Sequence, residues 1–144
     1  MKRLMLVMAL GLLMMLGAEA KEKKKVAVIP IDTEIGSTSW RKPARGIEMA
    51  ESEVADGAAL HLYTYGGTVE HADSMRSMIL RSKRPVVAFI DNNAASAGAL
   101  ISIACDSIYM RQGGNIGAAT VVNETGEAMP DKYQSYMRSI MRST

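Results

Sequence analysis

Unbroken apolar runs of strand length alternate along the chain with longer stretches in which apolar residues recur every three or four positions. Val26-Ala27-Val28-Ile29-Pro30-Ile31 is the first run, and its lack of alternation reads as a strand covered on both faces. Trp40, Ala44, Ile47, Ala50 and Val54 then recur at helical spacing behind a cap at Ser37, Thr38 or Ser39, with Pro43 tolerated in the first turn. Asp56-Gly57 ends that helix, and Ala58 to Tyr63 is the second strand. After the break at Tyr65-Gly66-Gly67, Ala72, Met75, Met78 and Ile79 mark one face of a helix that stops before Pro85. Val86 to Ile90 is the third strand, followed by a polar turn at Asn92-Asn93 and a helix that opens with small residues around Ser96. Ser107 to Met110 is a short strand, Gly113-Gly114-Asn115-Ile116-Gly117 a structural turn, and Lys132 to Thr144 a last helix with Tyr133, Tyr136, Met137, Ile140 and Met141 as its apolar face.

Strands alternating with helices imply right-handed crossovers and a mainly parallel sheet with flanking helices, an α/β fold. Ligands of such sheets bind beyond the carboxyl ends of the strands. Gly66-Gly67 and Ser96 both stand at such ends and are expected to be neighbours.

Composition adds the cellular setting. Residues 1–20 hold Lys2 and Arg3, then Leu4 to Leu16 without a charge, then Ala18-Glu19-Ala20: the pattern of a signal peptide for export cut after Ala20. An uncleaved anchor is the second choice, because the apolar run is short for a spanning helix. The predicted domain is therefore 21–144, and since its last helix reaches Thr144 without a stop signal, it is expected to continue further. The net charge is +2 over the whole chain, which does not point to nucleic acid. The single cysteine, Cys105, excludes an internal disulfide and a cysteine-based zinc site, and its apolar surroundings predict a buried small hydrophobe.

The candidate chemistry centres on Ser96. A serine between strand and helix sits where backbone N–H groups point outward, suited to developing negative charge, while Ala94, Ala95, Ala97 and Gly98 allow close approach of another chain. The competing role for Ser96 is that of a helix cap. A serine hydroxyl needs a base to become a nucleophile. His61 lies within a strand, where packing or a surface contact is expected. His71 lies beside the double glycine, with no evident carboxylate to complete a triad. Lys132 is the one lysine downstream of Ser96. At the start of the last helix, the dipole and partial burial would favour its neutral form, the alternative being a solvated ion pair with Asp131 or Glu127.

Ala94-Ala95-Ser96-Ala97-Gly98 followed by Lys132 resembles the NfeD-type membrane serine peptidases. These are a branch of the Clp protease/crotonase-like superfamily that is related to signal peptide peptidase A. The resemblance runs from Val26 to Thr144 and implies a ββα spiral. It implies Ser96 as nucleophile, Lys132 as general base, and the N–H groups of Gly67 and Ala97 as the oxyanion hole, with Gly66 beside the substrate. No metal or other cofactor is implied. Tyr63-Thr64-Tyr65 stands where the family usually has Asp-Thr-Pro before its two glycines. The resemblance further implies a protein substrate with apolar segments, of the stomatin-like membrane type, a homodimer or higher homo-oligomer, and a place on the periplasmic side of a bacterial membrane. Two rivals are a non-catalytic assembly or binding module of the same fold and a crotonase-like acyl-CoA enzyme, the latter disfavoured by the export signal and the Ser96/Lys132 pair.

Overall fold

The computed structural model describes residues 23–52 and 55–144, so the expected signal peptide and Val54 lie outside the described residues. β1 (Val26–Ile31), β2 (Gly57–Thr64), β3 (Val86–Ala95) and β4 (Ser107–Met110) form a parallel sheet in the order β1-β2-β3-β4. A three-residue β5 (Asn115–Gly117) pairs in parallel with the far end of β3. The connections are α1 (Arg41–Ser52), α2 (Val69–Ile79) and α3 (Ala97–Ile103), and α4 (Asp131–Arg142) closes the chain. Among the described residues no helix is long and apolar enough to cross a membrane.

Strand residues alternate between faces. Ile29 and Ile31 of β1, Ala58, Leu60, Leu62 and Thr64 of β2, and Val86, Ala88 and Ile90 of β3 are all buried. They meet Ile47 and Ala50 of α1, Ala72, Met75 and Ile79 of α2, Leu100 and Ile101 of α3, and Met137 and Ile140 of α4. The opposite face is open: Val28 is 70% exposed, and Val26, Tyr63, Phe89 and Tyr109 are exposed as well. The expectation that β1 is covered on both faces is thus corrected. The described helices send their buried residues into one cluster, and an unbroken apolar run cannot by itself tell one covered face from two. On the open face His61 stacks on Phe89 at 5.6 Å and lies 3.9 Å from Asp91, which also pairs with Arg111 at 3.0 Å. His61 has the surface contact expected of it.

The second correction bears on the site. β3 does not end at Ile90 in a polar turn but runs through Asn92-Asn93 to Ala95. Between the pairs Leu62↔Ile90 and Thr64↔Ala94, β3 advances four residues while β2 advances two. Such a bulge absorbs polar residues within a strand and re-aims the residues beyond it. Before it, Val87 to Ile90 pair with β4; beyond it, Asn93 to Ala95 pair with β5. The stretch read as a structural turn at Gly113–Gly117 therefore contains a strand, which no apolar pattern announces because two of its three residues are Asn115 and Gly117.

Cys105 follows α3 half-buried, its Sγ donating to the Ile101 carbonyl at 3.4 Å. Burial pushes its thiol pKa up from 9.0 to about 12, and Asp106 adds to the shift. Because the native state keeps the proton that the unfolded state loses, the stability this contributes is full below pH 9 and is lost as pH rises from 9 toward 12. Iodoacetamide at pH 8 is expected to leave native Cys105 unmodified and to alkylate it in urea, as read by mass spectrometry.

Candidate active site

Ser96 is the hinge between β3 and α3, with φ +52° and ψ −113°. For a residue with a side chain that conformation costs on the order of 1–3 kcal/mol and needs neighbours to hold it. Its N–H donates to the Gly117 carbonyl at 2.7 Å. Its side chain makes no capping hydrogen bond to α3, so the helix-cap role is not realised. A sharp strand-to-helix turn that leaves a serine hydroxyl uncommitted among the described residues is the form of a nucleophile elbow.

The double glycine at the end of β2 lies against this elbow, as expected. Gly66 has φ +116°, and a Cβ there would stand 2.7 Å from Ser96 Cβ and 3.2 Å from Oγ. The bare backbone at 66 is what leaves room for the serine. Thr64 fixes the turn from below: its buried hydroxyl donates to the Thr33 carbonyl at 2.8 Å and accepts the Gly66 N–H at 3.1 Å. Ile35 N–H donates to the Gly66 carbonyl and Thr68 N–H to the Ile35 carbonyl, a parallel bridge that straddles Gly67. N–H groups alternate in direction along an extended chain, so that of Gly67 is turned away from Ile35. Among the described residues neither the Gly67 nor the Ala97 N–H donates to another backbone group. Donors left uncommitted in this way are available to an oxyanion.

A cavity of about 650 Å³ opens on Ser96 and Gly67. Val69, Val121, Val122 and Met137 make it apolar, while Glu34 and Glu124 also line it. Lys132 is not part of that lining. It is exposed at the start of α4, its Nζ 4.9 Å from the centre of the Tyr133 ring. It lines a neighbouring groove of about 580 Å³ with Glu70, Asp73, Tyr133 and Tyr136, which shares Val69 and Val121 with the Ser96 cavity. The partial burial expected of Lys132 is not found. α4 turns Met137 inward, and a residue five positions earlier lies roughly 140° round the helix from it. His71 is engaged elsewhere, Nδ1 against Thr68 Oγ1 at 2.5 Å and its ring beside Trp40 at 6.1 Å.

The structure thus joins Ser96, Gly66, Gly67 and Ala97 at one point and places Lys132 in the adjoining groove. Sequence reasoning missed the segment that holds the elbow, Asn115 to Ala118, where Ala118 also has φ +53°. Its one signal was the glycine-rich run after a short strand.

Residues 25–144 match the family described as NfeD1b, N-terminal domain. Over 132 residues the chain is 36% identical to the membrane protein NfeD1b of Bacillus subtilis, covering 90% of this chain and 30% of that protein. It is 28% identical over 151 residues to the membrane-bound protease PH1510 of Pyrococcus horikoshii, covering 99% of this chain and 34% of that protein. The chain therefore spans about a third of the length of these relatives. Among solved structures it resembles a lysine-to-alanine mutant of the 1510-N membrane-bound stomatin-specific protease in complex with a substrate peptide. That likeness has a TM-score of 0.77 at 28% identity and covers 84% of this chain and 59% of the other. ClpP1 of Listeria monocytogenes shares the fold at a TM-score of 0.60 and 18% identity, covering 81% of this chain and 77% of the other.

Proposed function

The chain belongs to the NfeD1b N-terminal domain family, and from that premise we propose that residues 21–144 are part of a serine peptidase domain acting on apolar segments of membrane-associated proteins. The observation that carries this reading is the elbow itself. Ser96 is held at φ +52° with its hydroxyl free, against a glycine turn whose Gly67 N–H, like that of Ala97, has no other backbone acceptor among the described residues. The likeness to a stomatin-specific protease supports peptide-bond chemistry and a stomatin-like substrate, and the apolar lining by Val69, Val121, Val122 and Met137 supports apolar substrate side chains. Membrane association is supported by relatives that are named membrane proteins, and export and assembly with further copies belong to the same proposal.

In this reaction Ser96 Oγ attacks the scissile carbonyl carbon and gives its proton to the Lys132 amine. The carbonyl oxygen takes up the negative charge facing the Gly67 and Ala97 N–H groups. Collapse breaks the C–N bond, the departing amine takes the proton from Lys132, and the acyl group remains on Ser96. Water then adds to the ester by the same route in reverse, releasing the acid. For Lys132 to serve, its side chain must leave the Tyr133 ring and cross the Val69/Val121 divide into the Ser96 cavity. Lys132→Ala is expected to lower the rate of cleavage of an apolar peptide by about 10²–10⁴-fold, as general-base removal does. An unchanged rate removes Lys132 from the mechanism.

A second reading, a binding module that keeps the fold without catalysis, is favoured by one observation. Among the described residues no base hydrogen-bonds the Ser96 hydroxyl, and Lys132 lies outside its cavity. A chain that binds the apolar peptide and never cleaves it selects this reading.

A further inference from the structure

The Ser96 elbow is strained, and part of what holds it is a three-residue strand with little of its own to hold it. β5 has one partly buried apolar side chain, Ile116, packed against the core, and two small or polar neighbours, Asn115 and Gly117. Its register on β3 is Asn93↔Asn115, Ala94↔Ile116 and Ala95↔Gly117, and the next contact in that series is the Ser96 N–H on the Gly117 carbonyl. A slip by one residue would withdraw the carbonyl from Ser96 and let the elbow relax out of the positive-φ region. At the opposite end of β5 the side chains of the first pair meet. Asn115 Nδ2 donates to Asn93 Oδ1 at 3.1 Å, and Asn93, on the bulged part of β3, is only 8% exposed. A polar group so placed accepts a specific partner and rejects an apolar one, which is how a short strand acquires a single register.

We propose that the Asn93–Asn115 amide pair is a positioning device for Ser96. It fixes the register of β5 so that Gly117 holds the Ser96 N–H, and through it the direction of the Ser96 hydroxyl and the Ala97 N–H. Its kinetic consequence rests on the peptidase reading above; its structural consequence does not. The pair touches no substrate and acts through the Ser96–Gly117 hydrogen bond.

The test uses the full chain with Asn115→Ala, and Asn93→Asp as the conservative variant that keeps an acceptor for Asn115 Nδ2. Amide hydrogen exchange read by NMR reports the clamp, and the second-order rate of fluorophosphonate reaction reports the hydroxyl. Loss of this part-buried hydrogen bond predicts that Asn115→Ala exchanges the Ser96 amide about tenfold faster while β1 and β2 amides keep their rates. Fluorophosphonate reaction slows by about the same factor, with peptide affinity unchanged, and Asn93→Asp keeps both readouts within about twofold of wild type. Unchanged Ser96 exchange in Asn115→Ala, or acceleration spread evenly over β1 and β2, would overturn the proposal. A wild type that never reacts with the phosphonate refutes the peptidase reading alone, and the exchange arm still decides this one.

Discussion

Ser96→Ala is expected to abolish cleavage of an apolar peptide, by roughly 10⁴-fold or more, with the fold intact. Removing a serine nucleophile costs that order of magnitude because binding and the oxyanion donors alone recover only a small part of the rate. The stability change is expected to stay within about 0.5 kcal/mol, since the Ser96 hydroxyl makes no capping bond and alanine keeps the same backbone strain. Ser96→Gly sharpens the comparison: it also removes activity but relieves the positive φ, and is expected to raise stability by about 1 kcal/mol. Thermal unfolding beside peptide cleavage, both measured on the same samples, checks the pair. A Ser96→Ala chain that cleaves at the wild-type rate would move the chemistry elsewhere.

Gly67→Ala has the largest expected effect on stability. With φ +152° at position 67, a Cβ would stand 2.1 Å from the Ile35 carbonyl oxygen and 2.6 Å from the Ile35 nitrogen. Both are backbone atoms of a segment held by two hydrogen bonds, so no side-chain rotation can make room. The bridge between Ile35 and Gly67 must open, and Ile35, 2% exposed, must shift with it. A cost of about 3–5 kcal/mol is expected, the range reached when strain is combined with core displacement. Gly113→Ala is the control: it too has positive φ, but a Cβ there meets nothing within 4 Å, and it should cost only the strain of its backbone, about 1 kcal/mol. Chemical denaturation of the two variants separates the terms. Equal losses would mean that the clash at Ile35 is absorbed by loop movement.

The alternation of apolar runs and helical periodicities located β1 to β3 and α1 to α4, because each of these elements buries a face and burial leaves a trace. β4, exposed along its length, shows only as the short apolar run Ile108-Tyr109-Met110. β5 left none. Its pairing is made by backbone groups and one amide pair, and neither has a hydrophobic period. The same reason hid the continuation of β3 through Asn92-Asn93, since a bulge places polar residues inside a strand that composition reads as a turn. The neighbourhood of Ser96 and the double glycine was legible because parallel sheets gather the carboxyl ends of their strands. The place of Lys132 was not. Which side of α4 it occupies depends on the face that Met137 and Ile140 turn inward, and its exposure follows from that rotation rather than from its distance along the chain.

Labelling of the folded wild-type chain with a fluorophosphonate, with the modified peptide located by mass spectrometry, shows whether Ser96 is an activated nucleophile. One adduct is expected, on Ser96, lost when the protein is first unfolded in urea. A chain whose native fold is verified by near-UV circular dichroism and which carries no adduct on Ser96 would contradict it, and would leave the elbow as the floor of a binding site.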